Sequence, residues 1–396
     1  MTQTEQAAPA VRIVEAPPRV GRDDVLAAIS RHLEIPDTDA IDVIMAVALA
    51  IHLPGDPLWL YLVAAPGGSK TELLRAIQGD RVVTISTLTP NTLISGLKGD
   101  GEKIDLLPRL DGKLLIIKDF TSILSKKTDD ATAIFADLRE CYDGYLEKSF
   151  GSGVGIKSYH ATFGLIAGVT PAIDMYRNVH ALLGERFLRI NLRGDGRSAI
   201  RRAVETEGGE QAMRQDLAET IGGFLTRASE WTDDAVVVEQ RQLEQLRALA
   251  EVVATLRTPV ARDRRRIVLY PPEPEIGTRL VKQLLRLSKA LANWRERLLV
   301  TAEDYISIRR VALDGIPKHR LSALGTLLSA DGWLTTKQVG DNASQATDTV
   351  HEVLEDMWLL HLIDRSGERV HEWAVCDETR HLLAGACIEL PQKGAK

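Results

Sequence analysis

The residues best suited to chemistry lie at positions 64–71, which read Ala-Ala-Pro-Gly-Gly-Ser-Lys-Thr. An apolar run precedes them and a helical pattern follows, so a glycine-rich turn joins a strand to a helix. In a phosphate-binding loop, backbone N–H groups of such a turn surround the phosphates. The lysine reaches the β and γ phosphates, and the next hydroxyl ligates Mg²⁺. The candidate nucleotide-binding residues are Pro66, Gly67, Gly68, Ser69, Lys70, Thr71 and Glu72, with Thr71 also a candidate metal ligand.

This segment departs from the pattern Gly-x-x-x-x-Gly-Lys-Ser/Thr at both glycine positions. Ala64 stands at the first, which mainly shapes the turn. Ser69 stands at the second, where a Cβ has to tolerate a close backbone approach to phosphate. The alternative is an ordinary strand–turn–helix connection that contains Ser-Lys-Thr. The order of strand, glycine turn and helix favours nucleotide binding.

Residues 114–120, Leu-Leu-Ile-Ile-Lys-Asp-Phe, predict a buried strand that ends in an acid. Nucleoside triphosphatases with such a loop hold Mg²⁺ with an aspartate at this point, whereas a helix cap is the alternative. Either Asp119 is the metal-binding acid and Phe120 replaces the water-polarising glutamate, or Lys118 replaces the first acid and Asp119 the second. We favour the first. In both cases one acid is missing, which predicts slow hydrolysis or use of another acid such as Glu140.

Three more candidate catalytic residues stand at the ends of predicted elements. Thr170 follows the strand 161–169, where a hydroxyl can sense a γ-phosphate, although a Thr-Pro turn is the alternative. Arg186 stands at the very start of the predicted strand 186–192, from which an arginine can enter a neighbouring subunit's nucleotide site. Arg279 lies in the first turn of a helix, where its charge opposes the helix dipole and therefore indicates a role, although a surface arginine is the commoner alternative.

Four basic residues are candidates for contact with DNA. Residues 145–160 predict two strands around Gly-Ser-Gly-Val-Gly, a hairpin signal, and carry Lys148 and Lys157. Arg264 and Arg265 belong to a cluster of five arginines within ten residues. A solvated surface is the alternative for each. The net charge of −6 gives no global attraction to nucleic acid, so such binding has to come from local patches.

The elements that position these residues alternate between strands and helices from 58 to 195. Most of the strands are nearly unbroken apolar runs, as in parallel strands that are buried on both faces. Strands separated by helical patterns predict an α/β fold. The predicted strands are 58–64, 81–86, 113–118, 161–169 and 186–192.

Length and composition limit the remaining possibilities. A chain of 396 residues predicts two or three domains. No apolar run reaches the roughly 20 residues that span a bilayer, so we expect no membrane partner. The first residues lack a secretory signal, and the three scattered cysteines form no metal or disulfide spacing. These features predict a cytoplasmic protein.

The chain divides into four predicted segments: a disordered tail at 1–22, an α/β nucleotide-binding core at 23–196, a helical lid at 197–316 and a winged-helix-like domain at 317–390. The last segment carries six Lys/Arg and twelve Asp/Glu. Because phosphate neutralisation supplies most non-specific affinity for DNA, we expect this acidic domain to bind DNA poorly. A protein partner is at least as well supported.

Taken together, these motifs resemble those of AAA+ ATPases, in the branch that contains the MCM helicases and MoxR-type ATPases. Residues 65–71 resemble the Walker A motif and 107–120 the approach to Walker B. Residues 145–160 resemble the pre-sensor-1 hairpin, which in helicases projects into the ring channel and touches DNA. Residues 168–171 resemble sensor 1, residues 182–187 the arginine-finger motif, and Arg279 with its helix resembles sensor 2. The resemblance covers roughly residues 40–316.

This resemblance implies an AAA+ core with a parallel sheet and a helical lid. It also implies a homo-oligomeric ring, usually a hexamer, with ATP and Mg²⁺ at subunit interfaces and helicase-like work on DNA. One alternative is a MoxR-like ATPase that remodels proteins, and another is a nucleotide-gated assembly switch that barely hydrolyses ATP. Helicase-like ATPases with a similar Lys-Asp-Phe strand occur on phages and integrative elements, which indicates a mobile-element source.

Overall fold

The computed structural model describes residues 20–67, 69–97, 104–151, 154–176, 185–228 and 236–389. Most of the expected tail, Gly68 and part of the 182–187 motif lie outside the described residues. Helix α1 spans Arg22–His32 and α2 spans Thr38–Leu49. The first helix therefore begins at the last residue assigned to the tail.

Seven strands lie in the described part of the first half of the chain. They are β1 (Trp59–Val63), β2 (Val82–Ile85), β3 (Leu114–Ile117), β4 (Tyr145–Phe150), β5 (Gly155–His160), β6 (Gly164–Val169) and β7 (Phe187–Asn191). Five of them form a parallel sheet in the order β2–β3–β6–β1–β7, which confirms the α/β prediction. The antiparallel pair β4–β5 confirms the predicted hairpin. A ligand crevice in such sheets lies beyond the carboxyl ends of the strands, where the strand order reverses. Here that point is the end of β1.

The two faces of the sheet pack against different layers. Leu60 and Leu62 contribute to a core shared with the surrounding helices. Tyr61 points to the other face, where its ring stacks on that of Phe187 with centroids 3.9 Å apart. Phe120 is fully buried in the same aromatic cluster. Alternation along β1 therefore anchors the central strand on both sides.

Helices connect and cover the strands. Those described within the sheet region are α3 (Lys70–Ala76), α4 (Thr121–Leu124) and α5 (Thr128–Tyr142). The predicted lid contains α6 (Gly196–Glu205), α7 (Glu210–Ala228), α8 (Gln240–Arg257), α9 (Thr278–Trp294) and α10 (Ala302–Asp314). Among the described helices, none combines the length and the apolar content that a membrane crossing requires.

A buried carboxylate joins the first helices to the lid. Asp42 of α2 accepts hydrogen bonds from the guanidinium groups of Arg22 and Arg295 and from the indole of Trp294. Full pairing of this kind is what makes a buried charge tolerable. The network therefore fixes α9 against α2.

The C-terminal region contains α11 (Lys318–Leu328), β8 (Leu334–Thr335), α12 (Thr336–Ala343), α13 (Thr347–Leu359), β9 (Ile363–Ser366), β10 (Glu372–Val375) and α14 (Asp377–Gly385). Its three strands form an antiparallel sheet in the order β8–β10–β9. Three helices and a hairpin near Ser366 are followed by the terminal helix α14.

Candidate functional site

Lys70 is the first residue of α3. It lies where the carboxyl ends of the parallel strands meet (the carboxyl edge of the sheet). The residue is only 7% exposed, and its ammonium group donates a 2.9 Å hydrogen bond to the carbonyl of Val169 at the end of β6. The N–H of Ala64 donates to the same carbonyl at 3.1 Å. Burial lowers the pKa of Lys70, and the nearby Asp119 carboxylate opposes that shift. A desolvated ammonium group therefore stands beside a carboxylate at this edge.

The turn before Lys70 adopts a conformation that its residues favour. Gly67 has a φ of +78°, which glycine adopts without strain, and a Cβ built there would meet no atom within 4 Å. Ser69 has a φ of −56°, so its Cβ causes no backbone strain. The substitution at the second glycine position is thus accommodated by the backbone.

Asp119 follows β3 and is exposed at the same edge. Its N–H donates to the carbonyl of Ser86 at the end of β2, and its carboxylate accepts from the N–H of Ser122 at 3.3 Å. Phe120 contributes nothing polar there because its ring lies in the aromatic core. Glu140 lies in the last turn of α5, which ends at the opposite edge of the sheet, so it does not replace the missing acid in its own chain.

Thr170 stands at the tip of β6, directly after Val169. Its N–H donates to the hydroxyl oxygen of Thr121 at 2.9 Å, and the two hydroxyl oxygens are 3.5 Å apart. The neighbouring Gly168 is required by close packing, since a Cβ there would lie 2.6 Å from the carbonyl oxygen of Lys118. The structure therefore gathers Lys70, Asp119 and Thr170 at one edge.

Glu72 has an ionic role within the fold. Its carboxylate accepts hydrogen bonds from Arg214 of α7 at 2.8 and 3.0 Å and from Arg75 at 2.8 Å. The bond from Arg214 is the main reason that the pKa of Glu72 is lowered. The carboxylate thus links α3 to α7.

Arg186 lies immediately before β7, where the amino ends of the parallel strands meet (the amino edge of the sheet). It is buried, donates to the carboxylate of Asp143 at 2.9 Å and stacks 5.5 Å from the ring centroid of Tyr142. Burial lowers the pKa of Arg186, whereas the bond to Asp143 raises it. The five residues of β1 span about 16 Å. Arg186 is therefore held away from Lys70 of its own chain.

Arg279, the second residue of α9, lies at that same amino edge. It lines a cavity of about 410 Å³ together with Tyr142, Asp143 and Lys282. Gln283, one turn further along α9, is buried and donates to the Arg186 carbonyl at 2.7 Å and to the Tyr142 hydroxyl at 3.0 Å. Arg279 also lines a larger cavity of about 750 Å³ between β7, the loop 258–276 and the C-terminal helices. That cavity lies outside the Lys70 edge.

The lysines of the hairpin point into the fold. Lys148 donates to the carboxylate of Asp137 and the carbonyl of Pro90, each at 2.5 Å. Lys157 lies 3.0 Å from the carboxylate of Asp105 and also donates to two backbone carbonyls. These intramolecular contacts argue against the expected DNA contacts of both side chains.

The arginine cluster is divided between internal pairs and solvent. Arg262 bonds Asp356 at 2.6 Å and Glu355 at 2.8 Å, and Arg266 bonds Glu352, all on α13. In contrast, Arg264 and Arg265 are exposed. Part of the basic cluster thus neutralises the acidic C-terminal region.

Several residues that shape the site were missed by the sequence reasoning. They are Thr121, Tyr142, Asp143 and Gln283. One signal was available, because Gln283 follows Arg279 by four residues and such residues share a helix face. The other contacts join segments that are distant in sequence.

Comparisons with known proteins give likenesses in structure but none in sequence. No protein-family model matches the chain, and no curated protein does. A solved structure described as "a putative ATPase from Cytophaga hutchinsonii" is 16% identical over 74% of this chain and 85% of that chain, with a TM-score of 0.45. At this level the likeness carries no argument about function.

Proposed function

We propose that this chain is an ATP-binding AAA+ ATPase that uses Mg²⁺ and assembles as a homo-oligomeric ring. The observation that carries the proposal is Lys70, whose buried ammonium group lies at the switch point of a parallel sheet beside Asp119. A cation costs free energy when it is removed from water. A triphosphate is the kind of partner that offsets this cost, since its oxygens carry several negative charges.

The residues at this edge fit a magnesium nucleotide. Gly67 gives the loop an open backbone conformation, Lys70 supplies the positive charge, and the Thr71 hydroxyl and Asp119 carboxylate are oxygen ligands of the kind Mg²⁺ takes. Bound Mg²⁺ would neutralise charge that develops between the β and γ phosphates. Lys70 would exchange the Val169 carbonyl for phosphate, and Thr170 would contact the γ-phosphate.

We propose further that the site is shared between two copies. Arg186 and Arg279 occupy the amino edge, so they are suited to a neighbour's triphosphate and not to their own. Guanidinium groups stabilise the charge of a transferring phosphoryl group. The ring, and the hexamer as its size, follow from the resemblance to AAA+ proteins and remain proposals.

Slow turnover is part of the proposal. Position 120 offers only a buried ring, and Glu140 lies towards the other edge. General-base assistance contributes about 10²–10⁴-fold in typical enzymes. A chain that lacks it is suited to a switch that assembles on ATP, which is the alternative we favour next.

Work on DNA has less support than work on proteins. The inward ion pairs of Lys148 and Lys157 leave Arg264 and Arg265 as the remaining DNA candidates. Protein remodelling, as in MoxR-like ATPases, is therefore favoured over work on DNA. The C-terminal helices and sheet have the order expected of a winged helix, and we propose a protein partner for this acidic module.

Binding of a fluorescent ATP analogue tests the central proposal. Lys70→Ala should lose binding, whereas Lys318→Ala, which removes an exposed lysine far from the loop, should retain it. Equal affinity of wild type and Lys70→Ala would overturn the nucleotide site. ATPase rates with and without DNA distinguish a DNA motor from a protein remodeller. Sizing with a non-hydrolysable ATP analogue tests for a switch that assembles on ATP.

A further inference from the structure

The Thr121 hydroxyl, four residues after the end of β3, holds the tip of the neighbouring strand β6. Thr121 comes two residues after Asp119 and begins α4. It accepts the backbone N–H of Thr170 at 2.9 Å, and its oxygen makes a longer contact of 3.5 Å as donor to the Thr170 hydroxyl. Both threonines are half-buried. The Thr121 hydroxyl thus contacts both the backbone and the side chain of Thr170.

The number of donors and acceptors on a hydroxyl indicates which of the two threonines donates and which accepts. Each hydroxyl has one hydrogen to donate and two lone pairs to accept with. Thr121 accepts from the Thr170 backbone at 2.9 Å, which leaves its own hydrogen free to point towards the Thr170 oxygen, 3.5 Å away. The hydrogen of the Thr170 hydroxyl is consequently left for another acceptor. A γ-phosphate oxygen is such an acceptor.

We propose that Thr121 is a positioning residue that sets the Thr170 hydroxyl as a donor and so lets the site distinguish a nucleoside triphosphate from a diphosphate. The inference rests on the proposed function, since it assumes that the γ-phosphate lies at this edge. Thr121 acts through Thr170 and does not itself touch the nucleotide. The pairing is also connected to Asp119, the proposed metal-binding acid, by a direct path through the backbone.

Thr121 and Asp119 belong to the same turn, which connects the threonine pair to the Asp119 carboxylate. The N–H of Ser122 donates to the Asp119 carboxylate at 3.3 Å, and the Ser122 hydroxyl donates to the Asp119 carbonyl at 2.8 Å. Because these bonds close the turn, a shift of Thr170 is passed to Asp119 through Thr121. Occupancy by the γ-phosphate therefore couples the ends of β6 and β3.

The test measures the ratio of ATP to ADP affinity, which requires no turnover. Thr121→Val keeps the shape of the side chain and removes its hydroxyl, whereas Thr121→Ser keeps the hydroxyl. We expect Thr121→Val to reduce the preference for ATP roughly three- to tenfold, the effect of one hydrogen bond, and to change ADP affinity less than about twofold. Thr121→Ser should restore the ratio. Competition against a fluorescent ADP analogue in Mg²⁺ gives both affinities.

A matched control removes a hydroxyl of similar exposure elsewhere. The Thr326 hydroxyl donates to the carbonyl of Ser322 within α11. Thr326→Val should leave the ATP-to-ADP ratio unchanged. Should Thr121→Val fail to fold, Thr121→Ala removes the same hydroxyl with less bulk beside the Thr170 backbone.

A double-mutant cycle shows whether Thr121 acts through Thr170. We expect Thr121→Val in a Thr170→Val background to cause no further loss of ATP preference. Additive losses would overturn the positioning role. An unchanged ratio in Thr121→Val, with both nucleotides bound by wild type, would refute this inference alone. Failure of wild type to bind either nucleotide would refute the proposed function, and this inference with it.

Discussion

The ammonium group of Lys157 lies 3.0 Å from a carboxylate oxygen of Asp105, and the side chain of Asp105 is fully buried. The Tyr159 hydroxyl donates to the same carboxylate at 2.8 Å, and the N–H of Ser95 donates at 2.7 Å. Burial raises the pKa of Asp105, but these bonds outweigh it and lower the pKa. The hairpin is thus attached to the loop before β3 by a charged contact inside the fold.

Lys157→Ala should therefore destabilise the protein. It removes the cationic partner of a buried carboxylate, and breaking such a pair costs about 3 kcal/mol. Urea unfolding measures the loss, and Lys127→Ala, which alters an exposed lysine, should cost almost nothing. A Lys157→Ala protein with wild-type stability and weakened DNA binding would return Lys157 to the list of DNA contacts.

Mixing of two inactive variants tests the shared site. Lys70→Ala lacks one half of the site and Arg186→Ala lacks the other, so each should be inactive by itself. In an equal mixture, random assembly of a head-to-tail ring gives about a quarter of interfaces with both halves intact. ATPase activity should reappear in the mixture. The double variant Lys70→Ala/Arg186→Ala, mixed with either, should restore none, and absence of rescue in the main mixture would exclude a role of Arg186 in the neighbour's site.

Glu72→Gln should weaken the contact between α3 and α7 in a pH-dependent way. Because the pKa of Glu72 is lowered in the folded protein, its contribution is full above about pH 4.5, the ordinary value, and disappears as the pH falls through the folded pKa. Wild type should be more stable than Glu72→Gln by about 1 kcal/mol at pH 7. Denaturant unfolding at pH 7 and pH 3.5 should show a smaller difference between the two proteins at the lower pH; a constant difference would contradict the ion pair.

Gly168→Ala should disturb the candidate site by displacing the end of β6. The new Cβ would lie 2.6 Å from the Lys118 carbonyl oxygen and 2.9 Å from a methyl group of Leu74, so the end of β6 has to move away from β3 and α3. We expect a loss of about 2 kcal/mol in unfolding free energy and weaker ATP binding. Gly194→Ala is the control, since a Cβ there meets nothing within 4 Å. Equal behaviour of the two variants would show that this packing is unimportant.

Arg262→Ala should loosen α13 from the loop 258–276. Arg262 bonds both Asp356 and Glu355, and its side chain is 14% exposed. Loss of these charge-assisted bonds should cost about 1–2 kcal/mol and speed proteolysis in this loop. Arg264→Ala alters an exposed neighbour and should do neither, so equal proteolysis rates in the two variants would count against the contact.

Much of the fold could be predicted because its strands are apolar runs. Residues 113–118 predicted β3 at Leu114–Ile117, and the glycines between Tyr145 and His160 predicted the hairpin. The strand order has no comparable local signal. It depends on which buried faces match across the sheet, so the opposite positions of Lys70 and Arg186 emerged only from the structure.

The roles of charged side chains were harder to predict than the elements that carry them. Lys148 and Arg262 have the sequence context of exposed basic residues, yet each is held by acids from distant segments. A single sequence records no partner for a charge. Thr121 was missed for the same reason, since its partner Thr170 lies 49 positions further along the chain.

Lys70 and Arg186 lie at opposite ends of the parallel strands. An assembly in which Lys70 of one copy meets Arg186 of the next copy therefore has a polarity. A head-to-tail contact, in which the Arg186 edge of one copy meets the Lys70 edge of the next, uses different surfaces on the two copies. Copies stacked in one direction complete one site per junction and leave an unmatched half at each end of an open row. A terminal subunit would therefore behave differently from an interior one, and only closure of the row would make all subunits equal.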